Sequence, residues 1–163
     1  CSLGQNVMIT SFQHYFKLVE YFSEFTKERM ALAMGAQNLI QIFDEKYYRN
    51  LSGGVLEAFG KLFHKDLKIY MYPSHNHVAD TYITSDNLEV GSRMKELYKF
   101  FKKTGKLVDI EIEEKEILDI FSRTVLKMIL KGENGWEEML PEGIAEKIKQ
   151  EKLFGYSRSR VKK

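Results

Sequence analysis

The sequence predicts an α/β fold: a small Rossmann-like three-layer domain with a mostly parallel sheet of 3–4 strands and a helical C-terminal third. Three observations carry this. Short apolar runs at Val7–Thr10, Arg29–Met34 and Leu67–Tyr72 alternate with longer amphipathic stretches, the strand–helix–strand order that builds parallel sheets. Within the longer stretches the apolar residues recur at helical spacing. Beyond Glu113 the pattern is helical almost to the end of the chain.

Val7, Met8 and Ile9 stand consecutively, as in a strand buried on both faces. Ser11 occupies the N-cap position of the helix expected next. Phe12, Tyr15, Phe16, Val19, Phe22 and Phe25 form its core stripe to about Phe25, with His14 off the stripe and exposed. The second strand closes at Gly35, and Leu39, Ile40, Ile42 and Phe43 continue as a helix to about Tyr48. Asn50–Gly54 breaks the pattern before Val55, Leu56, Phe59, Leu62 and Phe63 mark another helix to about His64. Two helices are more than a minimal βαβ crossover needs. A parallel return of the next strand is expected, with an antiparallel one left open.

Leu67, Ile69 and Met71 alternate with Lys68, Tyr70 and Tyr72, and Pro73 ends that strand. A polar loop follows to Asn87, with a small hairpin around Thr81–Thr84. Ser92 is the expected cap of a helix carrying Met94, Leu97, Tyr98 and Phe101, with Gly105 at its end. Val108, Ile110 and Ile112 read as a fourth strand or an edge segment. Glu113–Glu116 opens a helix with the stripe Leu118, Phe121, Val125, Met128 and Ile129, stopped by Gly132. Trp136 anchors the next loop to the core. Pro141 opens a last helix with Ile144 and Ile148 inward, ending near Leu153-Phe154-Gly155.

A chain of 163 residues is one domain by length, placed over 1–156, with a disordered basic tail at 157–163. The net charge of +2 is nearly balanced and argues against a nucleic-acid partner, which calls for a clustered basic excess. Lys95, Lys99, Lys102, Lys103 and Lys106 gather at one helix end, where cations complement the dipole. The single cysteine, Cys1, has no internal partner for a disulfide. No signal-peptide pattern and no apolar run approaching ~20 residues is present, so a cytoplasmic protein with no membrane partner is expected. A chain beginning with Cys rather than Met reads as part of a longer protein, with an upstream domain as its expected partner.

Ligands of parallel sheets lie outside the carboxyl ends of the strands. The residues there are Ser11, then Gly35, Gln37 and Asn38, then Ser74, His75 and His77. Their hydroxyl, amide and backbone groups suit a nucleotide or another small phosphorylated molecule. Ser52, Gly53 and Gly54 precede a helix and are candidates to cradle a phosphate through their amides. They lack the spacing of a dinucleotide fingerprint or a Walker loop, and the alternative is a helix break with Gly at positive φ. Glu57, one turn on, is either an acid–base group or a solvated charge near a helix N-terminus. His75-Asn-His77 with Asp80 is the one cluster of metal-ligand type, but nothing else fixes it, and no metal is expected. No complete catalytic constellation is present, and no cofactor is specified.

Several stretches carry a resemblance: Phe43-Asp-Glu-Lys-Tyr-Tyr48, Gly53-Gly-Val-Leu-Glu-Ala-Phe-Gly60, Leu67 to Pro73, Ile120-Phe-Ser-Arg123, and Trp136-Glu-Glu-Met-Leu-Pro141 through Leu153-Phe-Gly-Tyr156. Together they resemble the C-terminal third of a long bacterial protein family labelled nicotinate- or nicotinamide-nucleotide adenylyltransferase, or TonB-dependent receptor. The first label implies an HxGH motif and a Ser/Thr-rich motif ending in Arg; neither occurs here, so the resemblance places them upstream. The second implies many alternating strands of ~10 residues, which a mainly helical chain does not supply. Val7-Met-Ile-Thr10-Ser11 also resembles the second motif of haloacid-dehalogenase-type phosphatases, whose hydroxyl binds phosphate, although their Asp-x-Asp nucleophile is absent. The expectation is a domain that binds a nucleotide or phosphorylated small molecule at its strand ends. The alternative is a non-catalytic structural or interaction module of a larger protein.

Overall fold

The elements follow the chain as α1 (Tyr15–Phe25), β1 (Ala31–Gly35), α2 (Ala36–Ile42), α3 (Gly54–Leu62), β2 (Lys68–Tyr72), β3 (Ser74–Asn76), β4 (Thr81–Ile83), α4 (Lys95–Lys103), β5 (Leu107–Asp109), α5 (Ser122–Lys131) and α6 (Ile144–Glu151). Short 3-10 turns join several of them, among them Glu45–Tyr48, Ser92–Met94 and Lys115–Asp119. This computed structural model describes residues 4, 6–76, 78–113 and 115–157.

Strands β1, β2 and β5 form one parallel sheet with β2 in the middle. The long crossover through α2 and α3 therefore returns β2 parallel to β1. Leu32 lies opposite Ile69, Met34 opposite Met71, and Leu107 opposite Ile69. Residues paired in this way point to the same face. Ile69 and Met71 are 0% exposed, and Met34 and Leu107 are buried with them. The other face carries Ala31, Ala33, Tyr70, Tyr72 and Val108, all exposed or half-buried. The core is thus built on one face of the sheet, where an aromatic cluster fills it. Phe43 meets Phe59 at 4.9 Å and Tyr98 at 5.0 Å between ring centroids, edge to face, and Phe63 stacks on Phe101 at 4.1 Å. Such rings bury large apolar areas and add pair geometry to it. The hairpin is β3 antiparallel to β4, a sheet of its own.

Four local expectations are corrected. Val7–Thr10 is not a strand: residues 6–10 carry no regular structure, and Val7 is 71% and Ile9 95% exposed. The Thr10 hydroxyl accepts the Phe12 N–H at 3.1 Å, a local side-chain turn that competes with strand pairing. Ser11 does not cap α1, which starts at Tyr15 with His14 as N-cap and no side-chain capping bond. Ser92 makes no capping bond either; Gly91 precedes a 3-10 turn that leads into α4. Pro141 lies one turn ahead of α6: its carbonyl accepts the Ile144 N–H at 3.1 Å, and Gly143 takes φ 78° at the cap.

The described residues fall into two compact units. One spans 9–113; the other consists of 114–157 together with the described residues up to Met8. The second has a core of its own, Val125, Ile129, Trp136, Ala145 and Ile148. Trp136 is 2% exposed, lies edge-on to Tyr156 at 5.9 Å and carries the Lys149 ammonium over its ring. Gly132 ends α5 in the left-handed region, as its position after the stripe suggests. The expected basic tail falls outside the described residues from Arg158 onward. Among the described residues, no helix is long and apolar enough to cross a membrane.

Candidate functional site

The carboxyl ends of the three parallel strands are where the sequence places a ligand. At the end of β1, Gly35 lies against the Tyr72 side chain from the end of β2: a Cβ on Gly35 would sit 3.1 Å from the Tyr72 ring. Gln37 and Asn38 follow, exposed, in the first turn of α2. Gly35 caps that helix with no side-chain bond.

After β2 the chain turns through Pro73 into β3. Ser74 pairs with Ile83, His75 with Tyr82 and Asn76 with Thr81. The His75 ring stacks on Tyr82 at 5.0 Å, and its Nε2 lies 3.2 Å from the Asp80 carboxylate. The Asn76 side-chain oxygen accepts the N–H groups of Val78 and Ala79, which closes the hairpin as an Asx turn does. His77 lies outside the described residues. The structure thus brings His75 and Asp80 together, yet Asp80 is almost fully exposed. Among the described residues, no group of three or more His, Cys, Asp or Glu side chains is placed to hold a metal ion.

At the end of β5 stands a group the sequence reading passed over. The Asp109 carboxylate accepts the Ser85 N–H at 2.8 Å and the Ser85 hydroxyl at 2.6 Å. Ser85 is 2% exposed, and its carbonyl accepts the Tyr98 hydroxyl at 2.7 Å. Burial pushes the Tyr98 phenol up to about 12, with Asp109 and Asp86 adding to the shift. The available signal was a carboxylate in an alternating apolar strand, Val108-Asp109-Ile110, where a charge needs a partner. Its partner lies 24 residues back, which no local pattern reveals.

The glycine loop is satisfied from within its own helix. Gly53 N–H donates to the Glu57 carboxylate at 2.9 Å, and Lys61 holds the same side chain at 3.1 Å. The Gly53 amide and then Lys61 keep the Glu57 carboxyl below its ordinary range. An anion arriving at Gly53 would therefore meet a carboxylate already bonded to that amide. Gly54 takes φ 56°, the left-handed conformation a helix break uses. Ser52 is exposed beside it, and Ser11 lies in the exposed stretch ahead of α1, which follows no strand among the described residues.

Two cavities lie elsewhere. One, of about 410 Å³, is lined by Phe43 and Met94 together with the charged side chains of Asp44, Glu45, Lys46, Arg49 and Arg93. Lys46 pairs with Asp44 at 2.6 Å and Arg93 with Glu45 at 3.4 Å, and the Lys46 ammonium holds the Asp44 carboxyl below its usual value. Arg49 has no ion pair among the described residues. The other cavity, of about 440 Å³, lies within the unit of residues 114–157 and is lined mainly by apolar side chains. Neither is lined by a strand-end residue singled out from the sequence.

No family model, no curated protein and no solved structure matches this chain. Its chemistry is therefore read from its own groups. At the strand ends Tyr72 lies on Gly35 and Ser85 holds Asp109, while Gln37 and Asn38 are exposed.

Proposed function

We propose that the chain is a non-catalytic interaction module of a larger protein. The observation that carries this is the occupation of the β5 end, where Ser85, its carbonyl held by the Tyr98 hydroxyl, donates twice to the Asp109 carboxylate. Tyr72 against Gly35 and Glu57 on the Gly53 amide support it in the same sense. At two of the places where an α/β sheet offers amides or carboxylates to a ligand, Gly53 and Asp109, the group is taken by another residue of this protein. The hydroxyl–carboxylate pair at the β5 end, Ser85 on Asp109, belongs to a serine that is 2% exposed, so it is not presented to a substrate as a nucleophile and its base are.

The test is a thermal-shift panel of nucleotides, sugar phosphates, nicotinamide compounds and divalent metals. A ligand present at about a hundred times its Kd stabilises a fold by ~2.7 kcal/mol, a readily measured shift. The module predicts a flat panel. A shift abolished by Asn38→Ala or His75→Ala overturns it in favour of a strand-end site.

A second reading has one specific observation in its favour. Arg49 lines the 410 Å³ cavity with no ion pair among the described residues, although it acts electrostatically on Asp44, and a guanidinium suits a phosphate group. In this reading the domain is Rossmann-like, works in the cytoplasm and binds a nucleotide or phosphorylated small molecule, in keeping with the resemblance to the adenylyltransferase-labelled family. Its ligand would sit at Arg49 rather than at Gly35 or His75. A shift in the panel that disappears in Arg49→Ala selects it.

A further inference from the structure

Two unpaired pieces of this chain suit each other. The first is the free edge of the parallel sheet. Among the described residues β1 pairs on one side only, with β2. The Lys68 N–H donates to the Met30 carbonyl, so Met30, Leu32 and Met34 turn their backbone groups toward β2, and Ala31 and Ala33 turn theirs away. Both alanines are exposed. Natural edge strands are guarded by charge, proline, a bulge or shortness. β1 reads Ala-Leu-Ala-Met-Gly in unbroken register with β2 and has none of the first three. The opposite edge, β5, is shorter and ends on the charge of Asp109.

The second piece is the segment from Asn6 to Thr10. Val7, Ile9 and Thr10 are β-branched, which suits a strand. Val7, Met8 and Ile9 are nevertheless exposed and without regular structure. Handedness ties this segment to the free edge. Phe16 and Val19 of α1 share the core with Phe59 and Leu62 of α3, against which α1 packs. Since α3 belongs to the crossover from β1 to β2, α1 lies on the same face of the sheet. A strand that precedes α1 and reaches β1 by a right-handed crossover on that face belongs at the free edge of β1. The chain's own segment does not take that place. Its Thr10 hydroxyl accepts the Phe12 N–H in a local turn, and the Phe12 ring rests 5.4 Å from the ring of Tyr21 on α1. An edge and a strand-forming segment left apart within one chain can meet between two.

We propose that the Asn6–Thr10 segment of a second copy docks on the free edge of β1, reciprocally, so that the chain forms a strand-swapped dimer. This deepens the interaction-module reading and rests on it, with a second copy as the partner. Exchange of an identical element is a low-cost route to a dimer, and addition of a strand to an exposed edge is a recurring mode of recognition. Ala31 and Ala33 gain partners for their outward N–H and C=O groups. Alternate side chains of the docked strand lie beside Leu32 and Met34, covering Leu32, which is half-buried at the edge. Neither piece carries a charge, so two copies meet here without like-charge repulsion.

The test reads oligomeric state and amide exchange on the whole chain, with reductant present so that Cys1 does not link copies. Sedimentation at micromolar concentration is expected to show a dimer, and hydrogen exchange a slow Ala33 amide. In the double variant Val7→Lys, Ile9→Lys the dimer is expected to weaken at least about tenfold and the Ala33 amide to exchange at least about tenfold faster. Both substituted positions are exposed, so the core is left untouched. Ala33→Pro removes the outward N–H while sparing the ladder between β1 and β2, and is expected to abolish the dimer as well. Circular dichroism checks that both variants fold. A monomeric parent overturns the proposal, whether its Ala33 amide is fast, as at an open edge, or slow, as at an edge filled by the chain's own segment. A dimer that survives either variant, or one with a fast Ala33 amide, overturns it too, because another surface then joins the copies. A monomer with a flat small-ligand panel removes the edge assignment alone, whereas a ligand shift in that panel overturns the module reading.

Discussion

Ser85 and Asp109 are joined twice, backbone N–H and hydroxyl both donating to one carboxylate across 24 residues of chain. This pair ties the loop after the hairpin to the end of β5. Hydrogen bonds to a charged acceptor contribute about 1.5–3 kcal/mol each. Ser85→Ala removes the hydroxyl bond but leaves the backbone bond and the Tyr98 contact in place. Its expected cost is about 1.5–3 kcal/mol in urea denaturation. Asp109→Ala strands two donors of a buried serine and is expected to cost at least as much. A loss below about 0.5 kcal/mol for both would mean that water replaces the carboxylate freely.

The two buried phenols make the fold sensitive to alkali. Burial raises Tyr48 and Tyr98 to about 12, while an unfolded tyrosine ionises near 10. Below pH ~10 both states keep the proton and the full stability is present. As pH rises from there toward the folded value, only the unfolded chain loses protons, so stability falls. Phenolate absorbance is expected to show two of the nine tyrosines ionising only as the chain unfolds. Tyr98→Phe is expected to remove one of these late steps. A titration in which all tyrosines ionise together near pH 10 would contradict the burial of both.

Two glycines separate backbone strain from side-chain crowding. Gly54 has φ 56° with open space where a Cβ would go, so Gly54→Ala meets only the left-handed penalty, about 1–2 kcal/mol. Gly35 has φ −85°, which any residue adopts, and the atoms nearest its added Cβ all belong to the Tyr72 side chain. That ring is 46% exposed and can swing outward, so Gly35→Ala is expected to cost less than about 1 kcal/mol. In a Tyr72→Ala background the Gly35 penalty should vanish, a coupling that a double-mutant cycle reads directly.

The sheet was legible where side-chain alternation and burial coincide. Ile69 and Met71 are fully buried on the central strand with Leu67 just ahead of it, and Tyr98 and Phe101 fill the face of α4 that their spacing predicts, with Met94 buried in the turn before it. Val7, Met8 and Ile9 have the same local signature as a buried strand, yet they are exposed. An apolar run states that burial is favourable but not which strand edge will receive it. The helix starts were misplaced for a related reason: Ser11 and Ser92 are good caps in isolation, and the helices begin where packing begins, at Tyr15 and in the turn opened by Gly91. The candidate site was legible as a set of positions only. That Tyr72 lies on Gly35 and Ser85 reaches Asp109 are tertiary facts, and they decide whether those positions are open.

Glu57 gives the matching acid-side prediction. The Gly53 amide and Lys61 favour its ionised form, so its folded pKa lies below the unfolded value. A depressed carboxyl contributes stability that is present above the unfolded pKa and lost as pH falls through the folded one. The difference in thermal midpoint between the parent protein and Glu57→Gln is therefore expected at neutral pH. It should shrink below about pH 4.3 and vanish once the parent carboxyl is protonated. Since Lys61 also binds Glu20 at 3.3 Å, Lys61→Met should remove part of the effect, and the Gly53 amide bond should preserve the remainder. A pH-independent difference would instead assign the role of Glu57 to packing against Gly53, whose added Cβ would lie 2.8 Å from the Glu57 Cβ.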